Sequence, residues 1–376
     1  MQDILGIGIT GKSLTELERR ILRESSPYAV VLFGRNIGDA EQLRELVREI
    51  KSIARRPPLF MIDEEGGRVD RLRHLIPGLP SAEAFAEGER AEEMAEWSGR
   101  VIGQALRWFD VEIDLAPVVD IRGGESPKGL ERRTFGADAE SVVELAGAFV
   151  RGLHGAGVAS CLKHFPGIGL GSADPHYGAT VIDVSLEDLR QRDLVPFDRL
   201  GALAGAVMIG HGTYPRIDDP QLPATLSRRI ATGLLRERGF DGLAMTDDME
   251  MHAVSDLGSY EYTSERALLA GNDVILYCSH IERMPELQRF LITRAAESVE
   301  VRARLDEAAG RAERYRAHCD RLRAAAPPPL PSFDAVAEEA ARFVETFLAT
   351  RSPHEDTTPD TDRRQTGGRT GREEWT

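Results

Sequence analysis

The sequence predicts an α/β protein that forms a (β/α)8 TIM-type barrel as a single catalytic domain with a helical C-terminal extension. Apolar runs of strand composition alternate with segments of helical period over most of the 376 residues, which favours a parallel sheet. Eight such runs fit a closed barrel better than an open doubly wound sheet. Polar residues cluster where the runs end, and in a barrel these carboxyl ends form the catalytic face.

The predicted strands are spaced so that a helix fits between most neighbours. The strands are expected at Ile4–Thr10, Ala29–Phe33, Leu59–Ile62, Val111–Val119, Val158–His164, Leu203–His211, Gly242–Thr246 and Asp273–Cys278. Helices are expected near Leu14–Glu24, Ala40–Ala54, Ala91–Trp108, Ser141–His154 and, as several segments, Pro285–Ala326. The glycines of Gly167–Gly171 lack the Lys-Ser/Thr ending of a phosphate-binding loop, so a nucleotide site is not expected.

The composition changes towards the carboxyl end. Three consecutive prolines from Pro327 predict a linker, and Phe333–Leu348 has the period of a short amphipathic helix. We therefore expect a barrel with its C-terminal helix over residues 1–326, and a Pro-rich linker with a short helix over 327–351. Residues 352–376 contain almost nothing apolar, which predicts a disordered tail.

The charge and the cysteines indicate which environments and partners to expect. A formal net charge of -15 without clustered Lys and Arg argues against nucleic acid. No signal peptide and no bilayer-spanning run is visible, so no membrane partner is expected. Cys161, Cys278 and Cys319 are widely spaced, which suggests reduced thiols and a cytoplasmic protein. The oligomeric state is not determined by these observations.

One stretch, Cys161–His176, concentrates chemically active side chains. It begins as an apolar strand that ends in Lys163 and His164, and it then crosses Gly167–Gly171, in which three of five residues are glycine. Glycine adds backbone freedom and contributes no burial. We therefore expect this segment to be a loop that closes over a ligand.

Asp174 and His176 follow the glycines. Pro175 pushes the residue before it into an extended conformation, and side chains two apart in an extended segment share a face. Asp174 could therefore hold one nitrogen of the His176 imidazole and leave the other free for proton transfer. The alternative is a polar turn in which Asp174 caps a nearby amide and His176 faces water.

A pair of carboxylates, Asp247 and Asp248, follows the predicted strand Gly242–Thr246. A carboxylate at the end of a barrel strand is suitably placed to act as a nucleophile towards an electrophilic sugar carbon. The alternative is that one of the two caps the helix that follows, which is a common use of Asp after a strand.

A third charged stretch, Asp63–Arg71, follows the predicted strand Leu59–Ile62. Asp63 could accept hydrogen bonds from two sugar hydroxyls, and Arg71 could donate to hydroxyl or carbonyl oxygens. The alternative is a salt-bridged turn among Glu64, Arg68, Asp70 and Arg71. Further cations could join the same pocket from Lys163, His164 and Arg132–Arg133. No His-Glu-x-x-His or paired-Cys spacing is present, so neither a metal nor another cofactor is expected.

These motifs together resemble those of bacterial β-N-acetylhexosaminidases of glycoside hydrolase family 3, the single-barrel type that acts in peptidoglycan recycling. The resemblance covers roughly residues 1–300 in order. It rests on Asp63–Val69, Lys163–Gly167, Asp174-x-His176, Thr246–Met249, Pro223–Ser227 and Ala270–Asp273.

The resemblance implies a role for each matching position. Asp247 would be the nucleophile, and His176, oriented by Asp174, would be the acid/base on a mobile loop. The sugar hydroxyls would be held by Asp63, Arg71, Arg133, Lys163 and His164. Two residues depart from the family pattern, because Ile168 replaces a His of the loop and Pro175 replaces a Ser.

The function expected from these roles is that of a cytoplasmic, retaining exo-β-N-acetylglucosaminidase whose partner is a small carbohydrate. One alternative keeps the fold and changes the reaction, to a β-glucosidase or a glycoside phosphorylase. An uncharged acid/base would repel phosphate less than a carboxylate would, which leaves phosphorolysis open. A second alternative is a sugar-binding barrel without turnover.

Overall fold

Parallel strands surrounded by helices make up most of the structure. The computed structural model describes residues 4–124, 129–173 and 180–351. The strands are β1 Leu5–Gly8, β2 Ala29–Leu32, β3 Leu59–Ile62, β4 Ile113–Asp114, β5 Ala159–Ser160, β6 Leu162–Phe165, β7 Ser172–Ala173, β8 Thr180–Val181, β9 Ala206–Ile209, β10 Leu243–Asp248 and β11 Val274–Tyr277.

The helices fill the intervals between the strands and continue beyond the last of them. They are α1 Glu16–Glu24, α2 Ala40–Ile53, α3 Ala82–Phe85, α4 Ala91–Trp108, α5 Ala139–Gly155, α6 Leu186–Gln191, α7 Val195–Ala204, α8 Arg228–Ile230, α9 His252–Ser255, α10 Tyr260–Ala270, α11 Met284–Glu297, α12 Val299–Ala325 and α13 Phe333–Ala349. Short 3-10 turns lie at Gly34–Asn36, Ala224–Leu226 and Ile281–Arg283, and a π-helical turn lies at Ala231–Arg236.

The sheet closes on itself through one divided strand. Its order is β5-β4-β3-β2-β1-β11-β10-β9-β6, and each neighbouring pair is parallel. β5 and β6 are separated only by Cys161, so they are two segments of the same strand, and they pair with β4 on one side and β9 on the other. The nine sheet strands are therefore the eight strands of a nearly closed barrel, which confirms the predicted fold class.

All eight predicted strands are present, most with bounds shifted by one or two residues, and two of them begin or end further from the predicted positions. β4 is limited to Ile113–Asp114, and the chain beyond it pairs irregularly with β6 around Pro117, which has no N–H for a regular ladder. The sixth barrel strand, β9, begins at Ala206 rather than Leu203 because α7 continues to Ala204. Gly205, with a φ of 75°, ends that helix in the left-handed conformation that glycine adopts without strain.

Alternate strand residues point into the barrel and towards the helices. In β2, Val31 packs with the residues of the barrel interior, whereas Val30 and Leu32 pack under the helices. The amino-terminal end of the barrel is covered by α12. There the Tyr315 hydroxyl donates to the carbonyl of Ser160 at 2.7 Å. The helix thus closes the end opposite to the one where the polar motifs lie.

The carboxyl-terminal helix α13 packs against α4. The rings of Trp97 on α4 and Phe343 on α13 meet edge to face at 5.5 Å, and the Trp97 indole N–H donates to Glu339 at 2.9 Å. Phe347 makes a similar contact with Phe85 at 5.2 Å. The division into barrel, linker with helix, and tail stays a prediction, and the predicted disordered tail, 352–376, lies outside the described residues.

Two features of the structure bear on the environment expected from the sequence, the state of the cysteines and the apolar character of the helices. Cys161, Cys278 and Cys319 are all buried and free. Within the part of the chain that the structure describes, no helix has the length and apolar character needed to cross a membrane.

Removing the buried ring of Phe343 is expected to destabilise the protein. Phe343 has no exposed surface, so Phe343→Ala should leave a cavity between α13 and α4 and lower the free energy of unfolding by about 3–5 kcal/mol. Leu348 on the same helix is 62% exposed, and Leu348→Ala should change it by less than about 0.5 kcal/mol. Urea unfolding measures both, and equal losses would contradict the described packing of α13.

Candidate active site

The polar side chains singled out in the sequence lie where barrel strands end. Asp63 follows β3, Lys163 and His164 lie within β6, and Asp247 lies near the end of β10. Because the strands are parallel, these ends meet at one rim of the barrel. Arg133 reaches the same rim from the segment between β4 and α5.

A buried ion cluster occupies this rim. The Lys163 ammonium, whose side chain is 2% exposed, lies 2.5 Å from Asp63 Oδ1 and 2.6 Å from Glu65 Oε1. Arg133 binds the same Glu65 with two hydrogen bonds, Nε to Oε2 and Nη2 to Oε1, both 2.8 Å long. Glu65 therefore links the two cations, and the structure brings Asp63, Lys163 and Arg133 together as predicted.

Charges within this cluster outweigh the effect of burial. Burial alone would raise the pKa of the Glu65 carboxyl, but Arg133 and then Lys163 hold it well below its usual value. Burial alone would lower the pKa of the Lys163 ammonium, but Asp63 and Glu65 raise it above its usual value. Both groups are therefore charged at neutral pH.

His164 is held by Asp120, which follows the β4 segment. The distance between His164 Nδ1 and Asp120 Oδ2 is 2.7 Å, and the backbone N–H of Ile168 donates to Asp120 Oδ1 at 2.7 Å. Because a carboxylate accepts hydrogen bonds, this contact favours a proton on Nδ1 and leaves Nε2 available to a ligand. Asp120 thus fixes both the imidazole and the first turn of the glycine segment.

Asp247 and Asp248 are adjacent but differ in protonation. Burial alone would raise the pKa of Asp247, but His211, His164, the N–H of Asp248 and Lys163 lower it below its usual value. Burial, and then the charge of Glu250, raise the pKa of Asp248 to about 7. At neutral pH Asp247 is therefore an anion, whereas Asp248 keeps its proton to a higher pH than an ordinary Asp does.

Asp248 stabilises the turn after β10 and does not cap a helix. Its Oδ1 accepts from the N–H groups of Glu250 at 3.1 Å and Cys278 at 3.2 Å. The next helix, α9, begins after Met251 and has no side-chain cap. The carboxylate of Asp247 accepts from the N–H of Asp248 at 2.8 Å, and it is half-buried.

Arg71 is linked to the end of β10 through Arg35. The pKa of Arg35 is lowered by burial and, to a smaller extent, by the charge of Arg71, whereas the nearby charges of Asp248 and Glu250 act to raise it. Arg71 Nε is buried and has no hydrogen-bond partner among residues 4–124, 129–173 and 180–351. An acceptor oxygen of a ligand would satisfy this donor.

The alternative of a salt-bridged turn among Glu64, Arg68, Asp70 and Arg71 does not describe the contacts of Arg68 and Glu64. Arg68 pairs with Glu131 at 2.6 Å, outside the stretch. Glu64 is fully buried and accepts from the N–H groups of Arg71 at 2.7 Å and Leu72 at 2.9 Å. Burial, and then the charge of Asp70, raise the pKa of Glu64 well above its usual value, so Glu64 holds a proton that it can share with Asp70.

Two glycines of the segment Gly167–Gly171 lie where a side chain would not fit. A Cβ on Gly169 would lie 1.8 Å from the carbonyl oxygen of Ile121, and a Cβ on Gly167 would lie 2.6 Å from Asp193 Cβ. The Tyr214 hydroxyl also donates to the Gly167 carbonyl at 2.8 Å. Close packing thus gives these two glycines a reason of their own, and the expectation that the segment closes over a ligand stays a prediction.

The predicted acid/base pair cannot be placed in this site. Asp174, Pro175 and His176 lie outside the described residues, so their roles stay predictions. On either side of them, Ser172–Ala173 pairs antiparallel with Thr180–Val181.

Three residues that contact the predicted ones were missed from the sequence: Glu65, Asp120 and His211. Glu65 was visible as part of a charge run, but nothing in the run distinguished it from its neighbours. Asp120 follows directly after a predicted strand, so the rule that selected Asp63 could have found it. His211 is at the end of a predicted strand as well, and it is buried and lowers the pKa of Asp247.

The rim combines charged hydrogen-bonding groups of both signs, and the ionised Asp247 lies beside them. Asp63, Lys163, Arg133 and His164 can bind the hydroxyls of a polyhydroxylated ligand, and Asp247 can act as a nucleophile. In 4–124, 129–173 and 180–351, no group of three or more His, Cys, Asp or Glu side chains is arranged to hold a metal ion.

Comparisons with known proteins agree on one family. Residues 8–314 match the family model described as Glycosyl hydrolase family 3 N terminal domain. A beta-hexosaminidase of Pseudomonas aeruginosa (strain LESB58) is 41% identical over 281 residues, which are 74% of this chain and 83% of the relative. A beta-hexosaminidase of Tolumonas auensis is 36% identical over 280 residues, with 73% and 83% covered.

Solved structures with the same fold include two glycosidases. A glycoside hydrolase family 3 beta-N-acetylglucosaminidase from Paenibacillus sp. is 31% identical with a TM-score of 0.78, covering 91% of this chain and 67% of that one. NagZ from Neisseria gonorrhoeae in complex with N-trifluoroacetyl-D-glucosamine is 27% identical with a TM-score of 0.74, covering 94% and 99%.

Replacing Glu64 by Gln should change how stability depends on pH. The folded protein holds the Glu64 proton more tightly than the unfolded chain, so this contribution to stability is complete below about pH 4.5 and is lost as the pH rises towards the raised pKa. The Gln amide can donate to Asp70 at any pH. The free energy of unfolding of Glu64→Gln, relative to wild type, should therefore improve by at least about 1.4 kcal/mol between pH 5 and pH 8.

Urea unfolding at the two pH values measures this difference. Glu45→Gln, on the exposed face of α2, serves as the matched control and should shift by less than about 0.5 kcal/mol. If Glu64→Gln loses stability relative to wild type as the pH rises, Glu64 is not held in its protonated form.

Proposed function

Since the chain belongs to glycosyl hydrolase family 3, we propose that it is a retaining exo-β-N-acetylglucosaminidase that removes terminal β-N-acetylglucosamine. Membership makes the protein a glycoside hydrolase with a carbohydrate substrate. The finer activity is supported by the relatives, which are named beta-hexosaminidases, and by the beta-N-acetylglucosaminidase of the same fold. The single observation that carries the proposal is the ionised Asp247 beside the ion cluster of Asp63, Lys163 and Glu65.

The proposed first step forms a covalent sugar-enzyme ester. A carboxylate oxygen of Asp247 bonds to the anomeric carbon while the bond from that carbon to the leaving oxygen breaks. His176, oriented by Asp174, donates a proton to the leaving oxygen. In the second step water attacks the same carbon, His176 takes a proton from the water, and Asp247 is released. Two displacements at one carbon retain its configuration.

The proposed acid/base is an imidazole where most retaining glycosidases use a carboxylate. An imidazole titrates near neutrality, so it can donate a proton in the first step and accept one in the second. Its deprotonated form is neutral and sets no second negative charge against Asp247. The support for His176 and Asp174 is their match to the family motif.

The sugar would be held by Asp63, Arg71, Arg133, Lys163 and His164. Lys163 directs two of its three ammonium hydrogens to Asp63 and Glu65 among the described contacts, so one is left for a sugar oxygen. His164 would use Nε2, and Arg71 would use the buried Nε. Buried charged groups of fixed orientation discriminate strongly between sugars, because a missing hydroxyl leaves a polar group unpaired.

The natural substrate and the compartment are further parts of the proposal. The resemblance to the peptidoglycan-recycling type supports glycosides derived from peptidoglycan. Three buried, free cysteines support a reducing compartment, and hence the cytoplasm.

The roles of Asp247 and His176 can be tested by hydrolysis of 4-nitrophenyl N-acetyl-β-glucosaminide. Asp247→Ala should lose on the order of 10⁴-fold or more in kcat, because the nucleophile is removed. His176→Ala should lose less on this substrate, since nitrophenolate leaves without a proton, and roughly 10²–10⁴-fold on an alkyl glycoside. Asp306→Ala, an exposed Asp on α12, is the control and should equal wild type.

The stereochemistry of the product tests retention directly. Proton NMR of the first turnovers should show the β anomer of N-acetylglucosamine before mutarotation. Added azide should accelerate His176→Ala and give the β-glycosyl azide, because azide replaces water in the second step. Initial release of the α anomer would contradict the covalent mechanism.

Sugar specificity separates the proposal from its alternatives. Wild type should cleave the aryl N-acetylglucosaminide at least ~10²-fold faster, in kcat/KM, than the aryl glucoside, because the acetamido group is lost. Addition of phosphate should leave the product as free N-acetylglucosamine. Preferred cleavage of the glucoside would indicate a β-glucosidase, and formation of the sugar 1-phosphate would indicate a phosphorylase.

A further inference from the structure

Two motifs that the proposed mechanism does not use meet beside the nucleophile. Thr225 belongs to Pro223–Ser227 and Asn272 to Ala270–Asp273, and both side chains are fully buried. The Asn272 amide donates to the Thr225 carbonyl at 2.8 Å and to the Ala267 carbonyl at 2.8 Å. The backbone of Thr225 is therefore held at a defined position behind the site.

Thr225 in turn contacts His211 at the end of β9. Its Oγ1 lies 2.7 Å from His211 Nδ1 and 2.8 Å from the Gly210 carbonyl oxygen. On the other side of the ring, His211 Nε2 lies 2.9 Å from the carbonyl oxygen of Asp248. The side chain of His211 thus spans the distance between Thr225 and the backbone beside Asp247.

The hydrogen atoms in this chain of contacts can be assigned from the acceptors. A carbonyl oxygen only accepts, so His211 Nε2 must carry a hydrogen. The hydroxyl of Thr225 has one hydrogen. The carbonyl oxygens of Gly210 and Ile209, at 2.8 Å and 3.2 Å, can both accept it, and so can an unprotonated Nδ1 at 2.7 Å. The hydrogen on Nε2 is therefore the one that the contacts fix.

We propose that His211 is a positioning residue for the nucleophile, with Thr225 holding its imidazole so that the hydrogen on Nε2 points to the Asp248 carbonyl. His211 thereby holds the carbonyl of Asp248, whose own N–H binds Asp247 Oδ1 at 2.8 Å. The inference rests on the proposed function of Asp247.

Variants of His211 separate positioning from mere packing. Gln can place an amide N–H near the position of Nε2 and cannot become charged, whereas Leu has no donor. His211→Leu should lose roughly 10–100-fold in kcat, because the carboxylate is misplaced. His211→Gln should recover most of the loss. KM should stay within about twofold in both, since the contacts of Asp63, Lys163 and Arg133 are unchanged.

Variants of Thr225 test the second half of the proposal. Thr225→Val keeps the shape and removes the hydroxyl, and it should lower kcat about 10-fold with little change in KM. Thr225→Ser keeps the hydroxyl and should restore kcat. If all four variants lower only the melting temperature and leave kcat at wild-type values, the residues act in packing alone and the proposal is wrong.

Nitrogen NMR of histidine-labelled wild type reads the imidazole without any turnover. The chain has nine His residues, and the signals of His211 are identified by their loss in His211→Gln. The expected result between pH 6 and pH 8 is a ring with a hydrogen on Nε2. A ring whose only hydrogen is on Nδ1 would overturn the proposal.

The two measurements also separate this proposal from the function on which it rests. If wild type does not cleave the aryl N-acetylglucosaminide, the proposed function fails, and the NMR result alone decides the state of His211. If wild type cleaves it and His211→Gln is as impaired as His211→Leu, the function stands and the positioning role fails.

Discussion

The buried ammonium of Lys163 is the interaction on which the rest of the site depends. A cation whose side chain is 2% exposed is tolerated only with close partners, and Asp63 and Glu65 supply them. Glu65 in turn needs Arg133, which comes from a different part of the chain. The ends of β3 and β6 and the segment after β4 must therefore assemble together, because removing one charge would leave another buried without a partner.

The same cluster explains how neighbouring carboxyl groups come to differ. Asp247 lies within reach of Lys163 and two imidazoles, and its pKa falls below the usual value despite burial. Asp248 points away, next to Glu250, and its pKa rises to about 7. Beneath them burial and the charge of Asp70 raise the pKa of Glu64 well above its usual value. One small region thus holds one carboxyl whose pKa is lowered and two whose pKa values are raised, each set by its neighbours.

Rigid contacts hold the groups around this cluster. Asp120 binds both His164 and the N–H of Ile168, so the imidazole and the start of the glycine segment share one support. The glycines are needed there because Gly169 lies against the carbonyl of Ile121, where a Cβ would be 1.8 Å from the oxygen. On the opposite side, His211 and Thr225 support the backbone beside Asp247. Such supports reduce the reorganisation needed when charge develops during a reaction.

The sequence by itself determined the barrel and most of the residues at its rim. Period and composition are local properties, so the eight barrel strands lie near their predicted places, although the short β7 and β8 were not predicted, and the strand-end rule found Asp63, Lys163, His164 and Asp247. Pairing between distant residues is not a local property. Only the tertiary structure could show that Glu65 joins Lys163 to Arg133 and that His211 reaches Asp248, since each contact joins segments that the barrel brings together.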